Sequence, residues 1–527
     1  MAEKHHFRYI LFTLAAAVVL IVFLYAMDCC IPHYRVSRAT TWITHPLNPD
    51  GTVNYVLAMN QAAARGVTPA NNAAVAIVRI IGTANLPGLR RNVVAHLKAI
   101  GVNRPPEHGA FTPFGAFLKR INFGIKDAQP APGSHWARAR RKYRQQLAIG
   151  NETQKLSIIR QPWIPAEHPV IARWLKSQQS AIHLIRRASK MPEFYAPMIQ
   201  DHTGLIDYTI DPSAAIELID FLDDAAMEQL GLHHDAVAWR DVMAMHRLAI
   251  LIAGNYPGLI DLLVCMSGTV IADRLADRLS ACQFIPATHL HGYLVQAETW
   301  KRPVELAAVI NGAGRLSSLN LIQSLFKRQN HIAARQFGFR GFIPLHFGRA
   351  MAGLNRYTTK LASILRLPDY RKKAAQLRAF RRRIKDSSPH GWINEFVIRS
   401  PVSNLSRALL MPEFDTLRAE YSCRAERIIT ATTLALAEYR AVHRHYPASL
   451  GRLVPSILPH APVDPFNTKP LHYVTNGTGY LLYCRRPNRR HRPWNGNPDA
   501  QRNHPHARTV IAFSVNWPAA PNPFTAP

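Results

Sequence analysis

The chain has 527 residues, 48% of them hydrophobic and 18% charged, which is enough apolar material for a large core and too much for a disordered polymer. It carries 64 Lys+Arg against 33 Asp+Glu, a formal charge of +31, so its field favours anionic partners and disfavours basic ones. Six cysteines are too few for a disulfide scaffold.

The first element expected is at the N-terminus. Tyr9–Met27 is an uncharged apolar run about long enough to cross hydrocarbon, preceded by Lys4 and Arg8 and followed by Asp28. No small-residue cleavage site follows it. The expectation is a single-pass membrane protein that meets the lipid bilayer through Tyr9–Met27. Residues 1–8 would be cytoplasmic and the body extracytoplasmic.

Residues 28–168 are expected to form a connector and an N-terminal region of helices and loops. Asn48-Pro49-Asp50-Gly51 marks a turn, and short helical patterns follow over 53–65, 72–81 and 89–100. The stretch 101–133 is rich in Gly, Pro and Phe and reads as an irregular loop. From 169 to 418 the chain reads as a helical body. Ile216, Ile219, Leu222, Ala226 and Leu230 recur at the spacing of one buried helical face. Similar patterns cover 236–252, 259–279, 306–325 and 345–365, which suits an irregular bundle or solenoid. Met-Pro-Glu-Phe occurs at 191–194 and again at 411–414, and both copies read as helix stops.

The region 419–517 reads as a small α+β module, with 518–527 a disordered tail. A helix is expected over 423–443, then a proline-started turn at Tyr446-Pro447-Ala448-Ser449-Leu450. Asn476-Gly477 separates two alternating runs, 471–474 and 480–484, as in a hairpin, and 509–515 supplies a third strand. A long helix across a three-stranded antiparallel sheet would bury one face of each. The order of that helix, Tyr446-Pro447, Leu450, Leu458-Pro459, Asp464-Pro465-Phe466 and Lys469-Pro470-Leu471-His472-Tyr473 resembles the globular part of type II secretion pseudopilins over residues 420–484. The chain departs from that family at Leu11 and Ala16, where a processed leader would have Gly and Glu. It departs again at 485–497, where arginines stand in place of an acidic calcium loop, so no calcium is expected there. The whole chain also resembles a group of uncharacterised planctomycete-type membrane-anchored proteins, through Thr40–Tyr55, Asn71-Asn72-Ala73-Ala74 and residues 241–251 followed by 259–263. That resemblance implies architecture and location, and no activity.

Candidate chemistry is sparse. Ser324-Leu325-Phe326-Lys327 has the S-x-x-K spacing of penicillin-interacting serine enzymes, but no K-T-G or S-D-N accompanies it. His289/His291, His443/His445 and His504/His506 have the spacing of metal pairs, which accident also produces among 25 histidines. His233-His234-Asp235 reads as a helix start. The polar residues singled out are Asp241, His246, Arg247 and Glu298, read as buried packing groups rather than a catalytic set. Asp241 and His246 would stand about 140° apart on one helix. Neither a cofactor nor a metal is expected, and no catalytic residue is assigned.

The basic residues are dispersed, with denser runs at 138–144, 371–385 and 485–492. No nucleic-acid reader fold accompanies them, so specific nucleic-acid binding is not expected. The expected fold class is therefore mainly α: one N-terminal transmembrane helix, a helical bundle or solenoid body, and a C-terminal α+β module. The expected role is a non-enzymatic, membrane-tethered scaffold of the bacterial envelope that contacts other envelope proteins. The alternatives are an envelope hydrolase with an unidentified site, or a binder of anionic polymer or lipid through the basic surface.

Overall fold

A computed structural model describes residues 35–83, 97–103, 105–123, 161–200, 206–208, 210, 213–326, 347–386, 413–485 and 510–516. Its early helices are α1 (Tyr55–Ala63), α2 (Ala73–Ile81), α3 (Phe114–Phe123), α4 (Pro169–Ser177) and α5 (Gln179–Ala188). Two short strands, β1 (Met198–Gln200) and β2 (Ile206–Tyr208), pair antiparallel. Then come α6 (Ser213–Gly231), α7 (Asp235–Ile252), α8 (Leu259–Ser280), α9 (Ala287–Glu298), α10 (Leu306–Val309), α11 (Arg315–Phe326), α12 (Phe347–Leu365), α13 (Tyr370–Asp386) and α14 (Glu413–His443). The chain closes with β3 (His472–Thr475), β4 (Tyr480–Arg485) and β5 (Val510–Val515), an antiparallel sheet in that order.

Side chains set the entry of the early helices. Asn54 and Asn72 accept hydrogen bonds from Leu57 N (2.9 Å) and Ala74 N (3.0 Å), satisfying donors that a helix start leaves free. Asn72 also brackets the backbone of Tyr195, donating to its carbonyl and accepting from its amide. Asn60 does the same to Met198. These amides tie α1 and α2 to the segment after α5.

The core centres on α6, α7 and α8. Leu218, Leu222, Val242, Met245, Leu262 and Leu275 are fully buried among them, and each buried aliphatic side chain contributes about 1.5–3 kcal/mol of transfer free energy. Gly268 lets α8 approach closely, because a Cβ there would meet Ala249 Cβ at 2.8 Å and Ile219 Cδ1 at 2.7 Å. A second cluster holds Trp174, whose ring packs on Phe111 and Phe221 and whose Nε1 donates to Thr112 O at 2.8 Å. Between α10 and α11 the backbone makes a wide π turn, Ile310–Gly314, kinked at Gly312. Arg315 follows it, almost wholly buried, with its guanidinium 3.7 Å from the centre of the Trp42 ring.

Two sequence expectations are corrected here. The fold is mainly α with a C-terminal sheet, but no helix among the described residues is long and apolar enough to cross a membrane. The long helices carry charge along their length, as at Arg240, Asp241 and Arg247 in α7 or Asp273, Arg274, Asp277 and Arg278 in α8. Tyr9–Met27, on which the expected anchor rested, lies outside the described residues. The transmembrane helix in the fold class loses its support, and so do the single-pass localisation and the extracytoplasmic placement built on it. Second, the Gly- and Phe-rich stretch read as loop contains α3, where Phe114 stacks on Phe117 and packs at a tilt against Trp174. The second Met-Pro-Glu-Phe, read as a helix stop, runs into a helix start, since α14 begins at Glu413, while Met411, Pro412 and the helix they were expected to end lie outside the described residues.

The hairpin forms as the Asn-Gly pair predicts. Gly477 has φ +87°, and Asn476 Oδ1 accepts from Gly479 N at 2.6 Å. Asp464, fully buried, accepts from the amides of Phe466 and Arg485. This seats the Phe466 ring against Tyr370 and Tyr421, so the loop before the sheet is fastened to α13 and α14.

Candidate functional site

A cavity of about 440 Å³ opens between α5, α7 and the end of α9. The α5 wall presents His183, Arg186 and Arg187, spaced i, i+3 and i+4 on one face of the helix, with Lys190 in the turn just past its end. Its opposite face, with Ala181, Ile182, Ile185 and Ala188, is buried, which aims the basic stripe at the cavity. The α7 wall presents Trp239, Arg240, Met243, Ala244 and Arg247, and Gln296 of α9 completes the lining. Among the described residues no acidic side chain lines it.

Of these cations only Arg186 has a carboxylate partner among the described residues. Its Nε and Nη2 donate to Asp241 Oδ1 (2.6 Å) and Oδ2 (2.8 Å), a bidentate fork from α5 to α7. Asp241 lies behind the wall, fully buried; burial pushes its carboxyl up from the ordinary carboxylate range, and the Arg186 pair opposes that. Arg187, Lys190, Arg240 and Arg247 are exposed and make no ion pair with a carboxylate among the described residues, although the Arg240 charge also helps hold down the Asp241 carboxyl.

Beneath the α7 wall runs a stack of rings. Tyr293 lies on Trp239 (4.5 Å between centroids), Trp239 on Trp300 (5.9 Å) and Trp300 on His246 (4.3 Å). Trp239 Nε1 donates to Gln296 Oε1 at 3.1 Å, holding the amide at the rim. Arg427 of α14 donates to the carbonyls of Ala297 and Trp300 and lies over the Trp300 ring. His246 is nearly fully buried, and its Nε2 is 3.1 Å from Lys301 O, so Nε2 carries the proton and donates. Burial, then the nearby Arg427 charge, lowers the His246 imidazole to about 3. The ring is neutral at pH 7 and is a packing group, with no proton to offer the cavity.

The four polar residues singled out from sequence thus part company. Arg247 lines the cavity, Asp241 and His246 support it from behind, and Glu298 is exposed near the end of α9 and outside the lining. Sequence reasoning missed Arg186, Arg187, Lys190 and Arg240. The available signal was the basic stripe on α5, which dispersed positive charge elsewhere in the chain obscured.

The other candidates resolve into structure. Ser324 is buried, donating to Asn320 O at 2.9 Å and accepting from Gln200 Nε2 at 2.7 Å; Lys327 lies outside the described residues. His289 turns to Asp235, which also accepts from Tyr293, while His291 turns away to Glu438. His443 packs on Tyr439 beside His445, and His504 and His506 lie outside the described residues. Among the described residues no three His, Cys, Asp or Glu side chains gather as a metal site. No protein-family model matches the chain, and no match was found among curated proteins or solved structures.

Proposed function

We propose that this protein is a binding protein, a helical scaffold whose basic cavity takes up an anionic ligand. The observation that carries this is a concave site lined by Arg187, Lys190, Arg240 and Arg247 with no acidic side chain among the described residues that line it. Like charges held together at one mouth repel, and a bound anion removes that cost. The volume, about 440 Å³, falls within the range of about 300–1,000 Å³ typical of small-molecule sites. Support from behind is rigid: the Arg186–Asp241 fork fixes α5 against α7, and the ring stack fixes α7 against α9.

Titration calorimetry of the full chain with inorganic pyrophosphate tests the reading. Saturable binding is expected, weakening as salt screens the site. Arg240→Ala/Arg247→Ala should lower the affinity by about tenfold or more. Absence of saturable binding at low salt, or affinity untouched in the double variant, would sink it.

A further inference from the structure

The arrangement of the cations along the cavity says more about the ligand than its sign, given the anion-binding reading on which this step rests. Arg240 and Arg247 are seven residues apart on α7, two turns, which puts their backbone positions about 10 Å apart along the axis. On the facing wall His183 and Arg187 stand one turn apart on α5, and Lys190 follows just past its C-terminal end. The charge is therefore spread along both walls and not gathered at one point. A single phosphate or sulfate reaches only one end of such a trough and leaves the other end's cations unbalanced.

Four cations lack a carboxylate partner among the described residues: Arg187, Lys190, Arg240 and Arg247. A terminal phosphate carries about −1.5 to −2 at neutral pH, so two or more phosphates are needed to balance four positive charges. Three of the four cations, Arg187, Arg240 and Arg247, are guanidinium forks, and a fork pairs two oxygens of one phosphate at once. Compact di- and tricarboxylates match the sign but not the length. Trp239 is almost wholly buried and stacked with Tyr293 and Trp300, so it offers no open face to an aromatic base.

We infer that the cavity between α5 and α7 binds a linear oligophosphate, a run of linked phosphates laid along the trough between the Arg240 and Arg247 ends. The phosphate chain is the recognised element, whether it comes free or as the tail of a nucleoside triphosphate.

Calorimetry with the full chain separates this from plain anion binding, using orthophosphate, linear tripolyphosphate, ATP and citrate at one ionic strength. Tripolyphosphate should bind about tenfold or more tighter than orthophosphate and than citrate. Arg240→Ala and Arg247→Ala should each weaken tripolyphosphate by about tenfold while changing orthophosphate by less than about twofold, since one end suffices for the short anion. Both arginines are exposed, so circular dichroism should show unchanged helix content in the variants. ATP at least matching tripolyphosphate would name the nucleoside triphosphate as the source, and weaker ATP would name the free chain. Equal affinity for orthophosphate and tripolyphosphate, or citrate equal to tripolyphosphate, would overturn the oligophosphate inference and leave anion binding standing. Failure of all four anions to bind would remove the anion reading itself.

Discussion

Asp241 is the residue on which the α5 wall depends. Its carboxylate is fully buried and its hydrogen bonds go to a guanidinium that is itself one-fifth exposed. A pair of this kind adds little over a well-packed apolar pair, yet removing one member strands the other's charge out of water. Arg186→Ala should therefore cost about 3 kcal/mol or more in urea unfolding, whereas Arg186→Met/Asp241→Leu should recover most of it. A single variant within about 1 kcal/mol of the parent would show that the fork contributes little to stability. His246 shows the same economy from the neutral side: with its imidazole held uncharged, it serves as one more ring in the stack.

Between elements, the seam of α8 and α14 is unusually acidic. Asp273 and Asp277 face Glu426 across it, with Arg274 paired to Glu426 at 2.8 Å and Thr433 donating to Asp277 Oδ1 at 3.0 Å. Burial first, and the Glu426 charge second, push the Asp277 carboxyl up to about 7. Below about 4, the ordinary carboxylate value, folded and unfolded chains both hold the proton and this group's contribution is fully present. As pH rises from there to about 7 the unfolded chain releases a proton that the folded chain keeps, so stability falls over that window and then levels. His246 contributes in the opposite sense between about 3 and its ordinary value near 6.5, gaining stability as pH rises. Comparing variant with parent isolates the aspartate. Asp277→Asn should match the parent at pH 4 and exceed it by about 2 kcal/mol or more at pH 8, read from denaturant midpoints. A difference constant with pH would exclude Asp277 as the titrating group. Much of this layer was legible in the amino-acid order: the 3.6-residue recurrence of Ile219, Leu222, Ala226 and Leu230 reports α6, and Asn476-Gly477 reports the β3–β4 turn. The start of α14 was not, because a proline in the sequence reads equally as a helix stop and as a helix start. Nor was the cavity, since periodicity shows that Arg186, Arg187 and Lys190 share a face but not that Arg240 and Arg247 stand opposite. The acidic seam was hidden for the same reason: Asp273 and Glu426 are far apart in the chain, and their meeting is a tertiary event.

In the molecule as a whole, α14 belongs to two neighbourhoods at once. It lies along α8 and α9, where Cys423 Sγ reaches Met266 O, Thr430 reaches Asp273 O, Arg427 holds the last turn of α9 and Glu438 meets His291, and it also meets β4 and β5. The apolar residues that bury this helix therefore come from the body as well as from the sheet. A fragment of residues 413–527 should lack a cooperative unfolding transition, as followed by circular dichroism in urea, because Ala425 and Ile429 would be returned to water. A sharp two-state transition in that fragment would show that the sheet alone suffices. The same arrangement sets an order of events during synthesis. While the ribosome is still adding residues 281–412, the face of α8 that carries Asp273, Asp277 and Met266 has no partner, stays hydrated, and its aspartates stay ionised. Only the arrival of the segment from Glu413 onward dries that face and lets the carboxyls take up their protons. A chain released before that point would be a body with one wall still open to the chaperones that patrol nascent proteins.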